Sequence, residues 1–94
     1  MEKITEKEFI KAVKSMEGRQ VEILLNGAIR AKKIIDKLKC FVKKNLIVLT
    51  ETKTKEFVMI DMNEVYTTKL DKEKNIIQLS IDTMDEDTII TIKG

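Results

Sequence analysis

From Leu46 to Lys93 the chain reads as one strand after another, and this succession limits the fold more than any other feature. Leu46-Ile47-Val48-Leu49 is apolar on both faces, the mark of a strand that is either central or pressed against a partner. A polar turn over 52–55 leads to Phe57-Val58-Met59-Ile60, and the short Asp61–Glu64 step leads to Val65–Leu70. After a charged loop over 71–75, Ile77, Leu79 and Ile81 alternate with Gln78, Ser80 and Asp82, which is the period of a half-buried strand. Asp85-Glu86-Asp87 mark a last turn, and Thr88–Lys93 form a closing strand. A chain so built folds as a sheet.

The first quarter differs. Thr5 and Glu8 stand at the spacing of a capping box, and Phe9, Ala12, Val13 and Met16 recur at three- and four-residue intervals. A helix over 5–17, ended at Gly18, is the expectation. Val21, Ile23 and Leu25 then alternate with Gln20, Glu22 and Leu24, and Asn26-Gly27 is a turn pair that tolerates positive φ, so a hairpin should follow.

Residues 28–44 read two ways. As a helix, Ala28, Ala31, Ile34, Ile35, Leu38, Phe41 and Val42 share one side and the lysines take the other. As a long bent strand, Ile34, Asp36, Leu38, Cys40 and Val42 share a face, with a bulge near Lys32-Lys33 to keep Ile29 and Ala31 inside. Local periodicity favours the helix, whereas the Asn-Gly turn and the needs of a small sheet favour the strand.

Composition then excludes classes of function. Ninety-four residues make one domain. The chain has no histidine, so it lacks the usual general base and the commonest metal ligand. Its single cysteine, Cys40, forms neither an intramolecular disulfide nor a multi-thiolate zinc site. No apolar run approaches the roughly 20 residues that span a bilayer, and the N-terminus does not read as a signal peptide. The expectation is a cytoplasmic protein that is not an enzyme, needs no cofactor or metal, and makes no membrane contact. The acidic run 82–87 lacks the glycine and distal glutamate of a calcium loop and reads as a solvated tip.

The segment Gly18-Arg19-Gln20-Val21-Glu22-Ile23-Leu24-Leu25-Asn26-Gly27, coming after a helix, resembles the opening of Sm-like and SH3-like small barrels. Asn45–Leu49 resembles the third strand of an Sm-like domain, and Phe57–Thr68 is similar to the strand, short turn and strand that close one. The resemblance covers residues 5–70. It implies a mainly β fold: an N-terminal helix, a strongly bent barrel of about five strands over 19–70, and an added C-terminal hairpin over 75–93. An open α+β sheet with 28–44 as a second helix is the alternative. The family's Arg-Gly pair is missing, with Asn63-Glu64-Val65 in that neighbourhood, so only Asn45 carries over from its RNA-binding motif.

Two functions follow. The first is a non-catalytic binding module of bacterial or phage type, an adaptor or inhibitor that engages a protein partner, further copies of itself, or both. Leu46, Ile47, Val48 and Leu49 are its candidate interface. The second is nucleic-acid binding by the basic face over 28–45. Residues 1–50 carry 12 Lys+Arg against 6 Asp+Glu, and residues 51–94 carry 6 against 10. Such polarity directs a polyanion to one end of the molecule. Arg30, Lys37, Lys39, Lys43, Lys44 and Asn45 are the candidate contacts for it.

Overall fold

A computed structural model describes residues 1–51, 53–82 and 87–94, with the side chain of Asp82 excepted. Two antiparallel sheets enclose one core. The larger has six strands in the order β1 (Glu2–Lys3), β7 (Val65–Asp71), β8 (Ile76–Asp82), β9 (Asp87–Lys93), β2 (Val21–Asn26) and β3 (Arg30–Ile35). The smaller has three, in the order β4 (Leu38–Lys43), β5 (Leu46–Glu51) and β6 (Phe57–Asp61). A 3₁₀ turn over Met62–Glu64 carries the chain from β6 into β7.

The expected barrel is not formed, because the C-terminal hairpin is no appendage. Strands β8 and β9 lie between β7 and β2 in the middle of the large sheet, with Ile77 opposite Ile92 and Ile92 opposite Ile23. Strand β7 therefore has no access to β2, and the strands form two layers instead of a closed ring. Buried Ile77, Leu79, Ile81, Ile90 and Ile92 supply most of the floor of the core, and Val21, Ile23 and Ile35 of β2 and β3 complete it. Period-two alternation identifies such strands but does not say where in the sheet they insert.

The stretch 28–44 is neither a helix nor one bent strand. Ile35 is fully buried at the end of β3 and Leu38 fully buried at the start of β4, with exposed Asp36-Lys37 between them as a corner. The chain there leaves one sheet and enters the other. The break falls at Asp36-Lys37, not at Lys32-Lys33: with Ile35 inward and Ile34 outward, unbroken alternation would turn Lys37 into the core and Leu38 out to solvent. Glu51, a carboxylate only 7% exposed, anchors the corner by accepting from the Asp36 N–H (3.3 Å) and from Thr54 Oγ1 (2.9 Å).

The helix α1 spans Glu6–Lys14, shorter than the expected 5–17. Its start is formed as the sequence spacing requires: Glu8 N–H donates to Thr5 Oγ1 and Thr5 N–H donates to Glu8 Oε1. Ile4 and Phe9 occupy the two positions of a hydrophobic staple, Phe9 inside the core and Ile4 half-buried against it. Beyond Lys14 the bonds tighten to Met16 N–H→Val13 O and Glu17 N–H→Lys14 O. Gly18, at φ +80°, then turns the backbone onto β4, where its N–H donates to Leu38 O and Leu38 N–H donates to Arg19 O. That pairing ends the helix early. Phe9, Val13 and Met16, all fully buried, plug the core from the side of β4 and β7.

The β2–β3 hairpin exists, but its turn is not of the expected kind. Asn26 pairs with Arg30 across a three-residue loop, and neither Asn26 nor Gly27 takes a positive φ. Gly27 is required by space instead: a Cβ there would lie 2.6 Å from Thr88 Oγ1 and 3.2 Å from its Cα.

Candidate functional site

The smaller sheet turns one face to the core and the other to solvent. Alternation directs Leu38, Cys40, Ile47, Leu49 and Ile60 inward, where all are buried. It directs Phe41, Val48, Met59, Leu46 and Phe57 outward. Register places these in rows across the three strands: Phe41–Val48–Met59, Lys43–Leu46–Asp61 and Lys39–Thr50–Phe57. Phe41 and Phe57 are each 57% exposed and Met59 is 54% exposed. Of the chain's four aromatic residues only Phe9 is buried, so two of the largest apolar side chains are spent on this one outer face. A contiguous apolar patch with a charged rim is the usual sign of a contact surface on a small protein.

The rim is asymmetric. Lys39 and Lys43 stand on β4 at one edge and Asp61 on β6 at the other. Asp61 is fixed by accepting from Asn63 N–H at 2.9 Å, and Met62 N–H donates to Asn45 O at 2.8 Å, which ties the end of β6 to the β4–β5 turn. Lys44 holds φ 55° in that turn. The free edge of β4 is covered along its first half: beyond the Leu38 bonds to Gly18 and Arg19, Cys40 N–H donates to Glu17 Oε2 at 3.2 Å. What β4 offers a partner is its outer face rather than this stretch of edge.

The residues expected from sequence fall into separate places. Lys43, Lys44 and Asn45 come together around a shallow depression shared with Leu46, Asp61 and Asn63. Lys39 joins them on the same outer face, with Phe41 between it and Lys43. Lys37 sits in the corner turn, and Arg30 lies in the other sheet at the far end of β3. The six candidates do not form one basic face. The proposed interface Leu46–Leu49 also divides, with Ile47 and Leu49 in the core and Leu46 and Val48 on the outer face. Phe41, Phe57 and Met59 are the residues that sequence reasoning did not assign to a site. Their signal was present: Phe57–Ile60, like Leu46–Leu49, is apolar on both faces, and only one face of each strand can be core.

Among the described residues two other groups stand out for their electrostatics. Burial, with the Glu17 carboxylate beside it, pushes the Cys40 thiol above its ordinary value, and Lys14 offsets this in part. Glu8 is held below the usual carboxylate value first by the Thr5 backbone N–H and then by the Thr5 hydroxyl. Both shifts have structural causes. Among the described residues no group of His, Cys, Asp or Glu is placed to hold a metal ion, and no helix is long and apolar enough to cross a membrane. The acidic run 82–87 lies mostly outside the described residues. A cleft of about 200 Å³ between the sheets is lined by Ile23, Leu25, Ala31, Val58 and Ile90 and edged by the Lys33–Glu56 ion pair at 4.0 Å. No family model matches the chain, and neither a curated protein nor a solved structure matches it.

Proposed function

We propose that this protein is a non-catalytic binding module whose working surface is the outer face of β4–β5–β6, and that what it grips is another protein. The observation that carries the reading is the patch Phe41, Val48, Met59, Phe57 and Leu46, presented on a sheet whose other face is already part of the core. A flat apolar centre with lysines on one rim and a carboxylate on the other is the composition of a protein contact, in which aromatic and methionine side chains carry most of the energy. The lone thiol is buried, which suits the reducing cytoplasm in which we place the protein.

A second reading is supported by one arrangement. Phe41 stands between Lys39 and Lys43 on an open sheet surface, as a base-stacking residue flanked by phosphate contacts would. The aliphatic neighbours and the Asp61 carboxylate on the same face favour protein. One experiment separates the two: retention of cellular protein and of single-stranded RNA or DNA by the wild type and by Phe41→Glu and Met59→Glu. A protein held by the wild type and released by both variants supports the main reading. Nucleic acid held at low salt and released by added salt supports the second. Retention that neither variant changes overturns both.

A further inference from the structure

The rows of the outer face have a symmetry of their own. Strand β5 runs down the middle, with β4 and β6 on either side, and each row is read across it as β4 residue, β5 residue, β6 residue. A two-fold axis lying in the plane of the face, close to the direction of β5 and passing over Val48, exchanges β4 of one molecule with β6 of another. It sets Val48 on Val48, Phe41 on Met59 and Met59 on Phe41. It also sets Lys43 over Asp61 twice, once at each side of the axis, and lays the Lys39 stem and ammonium on the Phe57 ring. From this complementarity we infer that the occupant of the face is a second copy of this chain, packed sheet on sheet. The inference rests on the docking reading above and adds the partner and its orientation.

The details are favourable to this pairing. Within one molecule Lys43 has no ion pair among the described residues. Row for row, the self-pairing opposes unlike charges and like apolar groups. Sheets pack face to face at a crossing of about 30°, which an axis inclined about 15° to β5 provides. The displacement this introduces at the corners of so small a face is within the reach of a lysine. Three strands and three rows make a face about 14 Å on a side. Two such faces cover about 400 Å² between them, and even with their rims they stay short of the roughly 1,000 Å² of a specific, stable contact. The pair is therefore weak and forms with rising concentration.

Charge exchange tests the orientation as well as the contact. Sedimentation of the wild type from ~10 µM to ~1 mM should show a monomer–dimer equilibrium. Phe41→Glu should remain monomeric throughout. Lys43→Glu opposes two carboxylates twice and Asp61→Lys opposes two ammonium groups twice, so each alone should dimerise roughly tenfold more weakly or worse. An equimolar mixture of the two restores both attractive pairs and should recover the wild-type dimer as a heterodimer. Asp61→Lys also gives up the bond to Asn63 N–H, so Val48→Cys serves as a companion. A bis-maleimide spanning the roughly 10 Å between packed sheets should join Val48→Cys to itself, and should not join a cysteine placed at Thr67 on the larger sheet. A wild type monomeric at the highest concentration overturns the inference, as does a mixture of two folded variants that stays monomeric. If the wild type is monomeric yet Phe41→Glu still releases a different protein, the docking reading survives and only the self-pairing is lost.

Discussion

Replacing Glu51 tests whether the corner at Asp36-Lys37 is held in place or merely left over between two strands. Its carboxylate joins three pieces of chain: the corner, through Asp36 N–H at 3.3 Å; the β5–β6 hairpin, through Thr54 Oγ1 at 2.9 Å; and β5, which carries it. Glu51→Ala removes both acceptors. The bond to Asp36 is long and that to Thr54 is well placed, so about 1 kcal/mol each is a fair value, or about 2 kcal/mol together. Thr54 is exposed and regains water, whereas the Asp36 N–H is turned toward Glu51 and regains less. In a chain of this length a loss of about 2 kcal/mol lowers Tm by roughly 8–16 °C. Chemical denaturation of Glu51→Ala, Thr54→Ala and the double variant measures the parts, and the cycle should show coupling of about 0.5–1 kcal/mol between the two residues. Glu51→Gln should fall between wild type and alanine, because one amide oxygen replaces two carboxylate oxygens that serve different donors. A Glu51→Ala protein within 0.5 kcal/mol of wild type would refute the reasoning, since the carboxylate would then contribute no more than its own burial costs.

Other perturbations bear on the helix, the turn and the thiol. Phe9→Ala should cost about 3–5 kcal/mol by leaving a cavity under α1, read from the same denaturation curves. Gly27→Ala should destabilise by about 1–3 kcal/mol through its clash with Thr88, and Thr88→Ala should restore part of this by removing Oγ1. Because the Glu8 carboxyl is depressed in the folded chain, its contribution is complete above the ordinary value of 4.5 and fades as pH falls through the lower folded value; Glu8→Gln should lose stability less steeply over that acid range. Cys40 has the opposite sign: with its folded value raised above 9.0, the unfolded chain ionises first, so stability should decline as pH rises past 9.0 by more in the wild type than in Cys40→Ala.

The strands were legible because alternation is a local property, and the helix start because Thr5 and Glu8 are three residues apart. What was not legible is which strand meets which. Ile77, Leu79, Ile90 and Ile92 advertise a half-buried hairpin equally well at the edge of a sheet or in its middle, and the barrel expectation, which rests on the resemblance over 5–70, leaves that hairpin outside as an addition. The corner was hidden for a different reason. Ala28, Ala31, Ile34, Ile35, Leu38, Phe41 and Val42 fall on one side of a helical wheel only because the chain changes sheets after Ile35, which shifts the strand period by one step and imitates a period near 3.6. The same shift hid the outer face: Phe41 looked like a member of the apolar set, when it lies opposite Cys40 in the pleat. For residues 28–44 the sequence constrains the two periods, and only the partner strands decide between them.

The central position of the last hairpin bears on how the molecule comes into being. Ile23 sits beside Ile92, so an early strand finds its neighbour only about 70 residues further along the chain. Until then β2 has β3 on one side and an open row of amides and carbonyls on the other, as has β7. Closing so long a loop is slow, in the range of milliseconds to seconds for sheets with such distant pairings. A nascent chain paused before residue 76 therefore exposes two sticky edges at once, and the hairpin over 76–93 covers both in a single event.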